Sequence, residues 1–147
     1  YALCAKYRLP VLFHCGPVDI ETRLGRRLSQ VRHYFRPIEK NPETTFVLGH
    51  SGALQMDLAL EIAKRHPNVY LETSSQSLTN VRKILDTADV SRVLFGSDWP
   101  FYHQAIPLAK LLIATVGREE LRAKVLHENA ARLLGLDAQA LAAAPGV

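Results

Sequence analysis

Four short apolar runs constrain this chain most: "VLFHC" at 11–15, "TFVLGH" at 45–50, "VYLET" at 69–73 and "RVLFGSD" at 92–98. Each is β-branched or aromatic, and each is bounded by turn residues or proline. They are nearly continuous in apolar character, which is the composition of strands covered on both faces. Helical patterns separate them. In "ALQMDLALEIAKRHPN" Leu54, Leu58 and Ile62 recur four apart with Ala59 and Ala63 beside them, and Pro67 ends the segment. "SLTNVRKILDTA" carries the stripe Leu78, Val81, Leu85 and Ala88, and "AIPLAKLLIATVG" closes at Gly117. The tail "REELRAKVLHENAARLLGL" is helical, with a glycine near its end as a C-cap. Residues 19–44 are the least regular and predict one helix and a loop around Pro37 and Pro42.

Strand and helix in strict alternation predict parallel βαβ units. An open doubly wound sheet would carry GxGxxG after its first strand, and no such loop is present. The other solution is part of a (β/α)8 barrel, whose complete form needs about 250 residues. With 147 residues the chain holds four units, half of a barrel. It does not begin with Met, and it reads as an excerpt starting partway into a longer domain. The edge strands of such a half would lack partners, which favours self-association into a homo-oligomer or aggregate.

Composition excludes several classes. The hydrophobic share of 48% and charged share of 22% are those of a globular protein, and no apolar run reaches the roughly 18 residues of a membrane span. Cys4 and Cys15 form no CxxC pair and read as reduced thiols of a cytoplasmic protein. The net charge of +4 is mild. Its local source is the cluster Arg23, Arg26, Arg27, Arg32 and Arg36. No nucleic-acid motif accompanies that cluster, so it reads as a solvated helix face or as a positive field for an anionic substrate.

The polar residues fall at the ends of the apolar runs. Run one ends in His14, run two in His50 and run four in Asp98, while run three carries Glu72 followed by "TSS". In a barrel, side chains at the C-terminal ends of different strands converge on one face. Two imidazoles and a carboxylate there are suitable ligands for a divalent metal. Gly16, Gly49, Gly52 and Gly96 adjoin them and allow sharp turns and close approach.

The segments "LPVLFHCG", "FVLGHSGA", "NVYLETSS", "VLFGSDWPF" and "ENAARLLGL" resemble, in order and spacing, the C-terminal half of the amidohydrolase-related family. These are metal-dependent TIM-barrel hydrolases and decarboxylases. The resemblance runs from Leu9 to Leu136 and makes the four runs the fifth to eighth strands, so that residues 1–147 are the second half of one barrel domain. It implies that His14 is a metal ligand. It implies that His50 is a ligand or an acid-base and polarising group. It implies that Asp98 binds metal and accepts a proton from the attacking water. The metal implied is zinc, or else manganese, and some lactonase-like members work without one. The family's first-strand HxH pair belongs to the absent N-terminal half.

The activity implied is hydrolysis of an amide, ester or lactone of a small, anionic, carboxylate-bearing substrate. Decarboxylation by the same kind of site is the alternative. A non-catalytic βα fragment or binding module is the competing class. The half barrel alone is expected to be inactive.

Secondary positions carry two readings each. Glu72 contacts substrate, or alternates away from the barrel interior as an ordinary solvated carboxylate. Trp99 walls the pocket or packs on the next helix. His103 contacts substrate or faces water at a helix N-terminus. His33, His66 and His127 read as ordinary histidines, and Asn129 as a cap or brace of the C-terminal helices. Cys15 should point to the side of the strand opposite His14, so it is no nucleophile.

Overall fold

The computed structural model describes residues 1–136; residues 137–147, which the domain reading includes, lie outside the described residues. The elements run α1 (Ala2–Lys6), β1 (Val11–His14), α2 (Arg23–Leu28), α3 (Phe35–Lys40), β2 (Phe46–Gly49) and α4 (Met56–Arg65). They continue with β3 (Val69–Glu72), α5 (Leu78–Thr87), β4 (Val93–Leu94), α6 (Ala105–Ala114), α7 (Glu119–Ala123) and α8 (Asn129–Leu134). The strands form one parallel sheet in the order β1-β2-β3-β4. The predicted α/β alternation is therefore the architecture. No helix among the described residues is long and apolar enough to cross a membrane.

The register assigns the two faces. Val11 pairs with Phe46, Phe13 with Leu48, Phe46 with Val69, Leu48 with Leu71, and Leu71 with Val93. Opposed residues of a sheet share a face, so these side chains all point toward the helices. Phe46, Leu48, Val69, Leu71 and Val93 are each at most 1% exposed, and they form the core with Ile62 of α4, Ile84 of α5 and Leu111 of α6. Burying such a side chain is worth roughly 1.5–3 kcal/mol. Phe13 stacks on Phe46 and Tyr34 at centroid distances of 5.6 and 4.6 Å, extending this core across β1. The opposite face carries Leu12, His14, Val47, Gly49, Tyr70, Glu72 and Leu94.

Polar braces hold the helices to the sheet. The Arg92 guanidinium donates to the carbonyls of Ala63, His66 and Val69, which caps the end of α4 onto β3. Asn129 is fully buried and donates to the carbonyls of Val90 and Val93, so it braces α8 against β4, as the sequence suggests. Gly135 ends α8 in the left-handed conformation, the expected C-cap.

Three expectations change. The fourth run is a strand only at 93–94, because the Phe95 N–H leaves the ladder and bonds the Val125 carbonyl. Residues 96–98 are therefore loop. The buried stripe of α4 is Met56, Ala59, Ile62 and Ala63, while Leu54 and Leu58 are exposed. The helix begins only at Met56, after the non-helical turn at Ser51, Gly52 and Ala53, and that start sets which side faces the sheet. Pro37 lies inside the first turn of α3, where its missing N–H costs nothing, rather than in a loop. Residues 19–44 thus hold two short α-helices, with a 3-10 turn at Val31–His33 between them, instead of one helix.

Candidate active site

The site lies where the strands end. Strand alternation puts His14 beside Leu12 on the open face and sends Cys15 into the core under the helices. Burial pushes the Cys15 thiol up to about 12, so it is no thiolate nucleophile at neutral pH. The Tyr34 hydroxyl donates to the His14 carbonyl at 2.6 Å and fixes the end of β1.

His50 follows β2 and begins a turn in which His50, Ser51 and Ala53 all have positive φ (58°, 43° and 46°). Non-glycine residues in that region cost about 1–3 kcal/mol each and persist where the surroundings over-determine them. Here the restraints come from β3 and the turn after it. The buried Gln76 amide donates to the carbonyls of His50 and Ala53, and Ser51 Oγ donates to the Glu72 carbonyl. Gly49 makes room for this: a Cβ there would lie 2.7 Å from the Phe13 carbonyl oxygen. Ser75 and Asp98 also have positive φ (60° and 58°), and Ser75 Oγ donates to Asp98 Oδ2 at 2.8 Å. Strain thus gathers around the candidate groups.

Glu72 stands on the same face as His14 and does not alternate away. Its carboxylate accepts from the backbone N–H of His50 (3.0 Å), the backbone N–H of Ser74 (2.5 Å) and Ser74 Oγ (2.7 Å). It occupies the space above Gly96, where a Cβ would fall 1.8 Å from Glu72 Oε1. Its oxygens face protein donors, so it braces the turn at His50. Ser74, Ser75, Gln76 and Tyr34 are site residues that the reading of strand ends did not single out. The "TSS" run after Glu72 was the available signal.

His50 Nε2 lies 3.2 Å from His14 Nδ1, with the rings edge to face at a centroid distance of 4.9 Å. Partial burial, then the neighbouring His50, holds the His14 imidazole below its ordinary pKa; Asp98 and Glu21 pull the other way. Glu21 accepts the Val18 N–H through Oε2, while its Oε1 is buried without a partner. A cleft of about 330 Å³ is lined by His14, His50, Glu72, Ser74, Gly96 and Asp98 together with Leu12, Phe13 and Gly49. Three larger hollows contain no histidine: two of about 520 and 440 Å³ flank α4 and α5, and one of about 540 Å³ lies at Gly117–Leu121. The smaller cleft is the one that gathers His14, His50 and Asp98. Trp99 is 64% exposed and does not line it. His103 accepts the Ala105 N–H at the start of α6 and faces water.

The donor types suit a divalent cation. Two nitrogen ligands of one tetrahedral zinc, each at 2.0–2.1 Å, lie about 3.4 Å apart, close to the observed ring-nitrogen separation. The shell is nevertheless incomplete: among the described residues no three His, Cys, Asp or Glu side chains form a metal-holding group.

A parallel βα sheet with polar groups beyond its strand ends is the layout of half a TIM barrel. The chain belongs to the amidohydrolase family, whose model matches residues 1–136. No curated protein matches the chain. Among solved structures it is similar to an uncharacterized TIM-barrel protein from Bordetella bronchiseptica, with TM-score 0.75 and 23% identity, over 92% of this chain and 48% of that one. It is similar to an amidohydrolase from Burkholderia multivorans with bound zinc, with TM-score 0.70 and 18% identity, over 92% and 56%. A dihydroxybenzoic acid decarboxylase from Polaromonas sp. JS666, with bound manganese and the inhibitor 2-nitroresorcinol, aligns with TM-score 0.67 and 16% identity, over 91% and 52%. The chain spans about half the length of these structures.

Proposed function

We propose that this chain supplies the C-terminal half of a metal-dependent hydrolase site acting on an amide, ester or lactone of a small carboxylate-bearing substrate. The supporting observation is that His14 at the end of β1, His50 in the turn after β2 and Asp98 in the loop after β4 line one cleft. His14 and Asp98 would hold a divalent cation, zinc or manganese, which when bound supplies Lewis acidity toward water and a substrate carbonyl. Asp98 takes the proton of the attacking water. The His50 ring moves that proton to the leaving group or faces the developing oxyanion. Decarboxylation is the second reading, favoured by the like-folded manganese-bound decarboxylase: there His50 and Asp98 deliver a proton to the carbon that loses CO2. The four described strands leave the other half of the barrel, and further metal ligands, to be supplied by an N-terminal half. The 147 residues alone are expected to bind zinc weakly and to turn nothing over.

The test uses a complete barrel containing this chain, assayed on esters, lactones and dihydroxybenzoates before and after chelation. Asp98→Asn keeps the size of the side chain and removes the proton acceptor. Turnover should fall by a factor of about a hundred or more, as for loss of a general base, with substrate affinity changing less. Unchanged turnover would make Asp98 a structural carboxylate and end the proposal.

A further inference from the structure

The geometry points to a positioning role for Ser74 and Glu72: together they fix His50 in the Nδ1–H tautomer and so present the Nε2 lone pair to the cleft. This deepens the reading of His50 given above and rests on it only for its catalytic meaning.

Glu72 Oε2 lies 2.7 Å from Ser74 Oγ, and Ser74 Oγ lies 2.8 Å from His50 Nδ1. A carboxylate accepts only, whereas a hydroxyl has one proton to give and lone pairs to receive with. The single Ser74 proton must therefore point at Glu72, since otherwise two acceptor oxygens would face each other at 2.7 Å. Ser74 Oγ is then the acceptor toward His50, and Nδ1 must carry the hydrogen. In a neutral imidazole the other nitrogen is left with a lone pair. That nitrogen, Nε2, is the one that faces His14 Nδ1 in the cleft. The polarity is anchored further, because the backbone N–H groups of His50 and Ser74 also donate to Glu72 and hold the carboxylate in place. Ser74 is 2% exposed, so water does not compete for its hydroxyl. A base or a metal ligand at His50 needs this lone pair, and the wrong tautomer would offer a hydrogen instead.

The test is nitrogen-15 NMR of the histidine rings in a metal-free complete barrel containing this chain, at mildly alkaline pH, with His50 assigned by its loss in His50→Gln. The expected spectrum gives His50 a protonated Nδ1 and an unprotonated Nε2. In Ser74→Ala the Nε2–H form should gain by a factor of about five, the worth of one neutral hydrogen bond. Ser74→Thr keeps a hydroxyl and should restore the original tautomer. Ser74→Cys keeps the volume with a weak acceptor, and should behave like Ser74→Ala even if the smaller side chain impairs folding. A wild-type His50 with its hydrogen on Nε2 overturns the inference, as does a tautomer ratio indifferent to both Ser74→Ala and Ser74→Cys. Because no metal or turnover enters the measurement, it can fail while the hydrolase proposal stands, and the reverse.

Discussion

The two faces of the sheet are made from alternate residues of the same four strands, yet they differ in what surrounds them. On the helix side Phe46, Leu48, Val69, Leu71 and Val93 are sealed. On the other side Leu12 is 68% exposed, Val47 and Leu94 are shielded at 5% and 7%, and the remaining positions are polar or glycine. Stability is concentrated where packing is complete, and chemistry stands where it is open. A substitution should accordingly report which face it touches.

The largest effect belongs to the sealed face. Leu48→Ala should cost about 2–5 kcal/mol in denaturant unfolding, because the cavity is bounded by close-packed neighbours. A loss below about 1 kcal/mol would mean that the core is looser than its burial implies. Next comes the open face at Gly96. Gly96→Ala drives a Cβ into the Glu72 carboxylate, and should lower metal affinity or turnover of the complete barrel by roughly 10- to 100-fold, as loss of an outer support does. Its thermal stability should fall far less than that of Leu48→Ala.

A smaller effect comes from Cys15 under the helices. Its folded pKa is raised, so its contribution is complete below the unfolded thiol's value of 9.0 and is lost as pH rises toward about 12. Between pH 9 and 10 this should remove about 1 kcal/mol of unfolding free energy. Cys15→Ala, although less stable at neutral pH, should lack that slope. The smallest effect is Leu12→Ala, expected to shift stability by less than about 0.5 kcal/mol in the isolated chain. A larger loss would show that something already covers the open face there.

The parts legible in the sequence were those fixed by local pattern. Strands β1 to β3 stand within a residue or so of their apolar runs, since a strand covered on both faces needs an unbroken run. The fourth apolar run outlasts β4 because Phe95 is apolar, while its N–H is claimed by Val125, a partner thirty residues away. The stripe through Leu54 and Leu58 differs from the buried one for a related reason. The left-handed turn that delays α4 to Met56 depends on Gln76 and Ser51 bonding across to neighbouring segments. At the site, His14, His50 and Asp98 were visible as polar residues where apolar runs stop. Ser74 and Ser75 were not, because a pair of serines after a strand looks like an ordinary turn. Glu72 was ambiguous because its face depends on a register that a single strand does not reveal.

The glycines behind the two histidines carry one more consequence. Gly16, at φ +91°, packs so closely on Gly52 that a Cβ would lie 1.9 Å from the Gly52 carbonyl oxygen, and the Leu54 N–H bonds the Pro17 carbonyl alongside. The segments following β1 and β2 are thereby interlocked backbone to backbone, with no side chain between them to yield. They form one graftable cassette: a designer who transplants either segment without the other breaks the fit of both, and altered specificity in such a barrel is best sought by exchanging them as a pair.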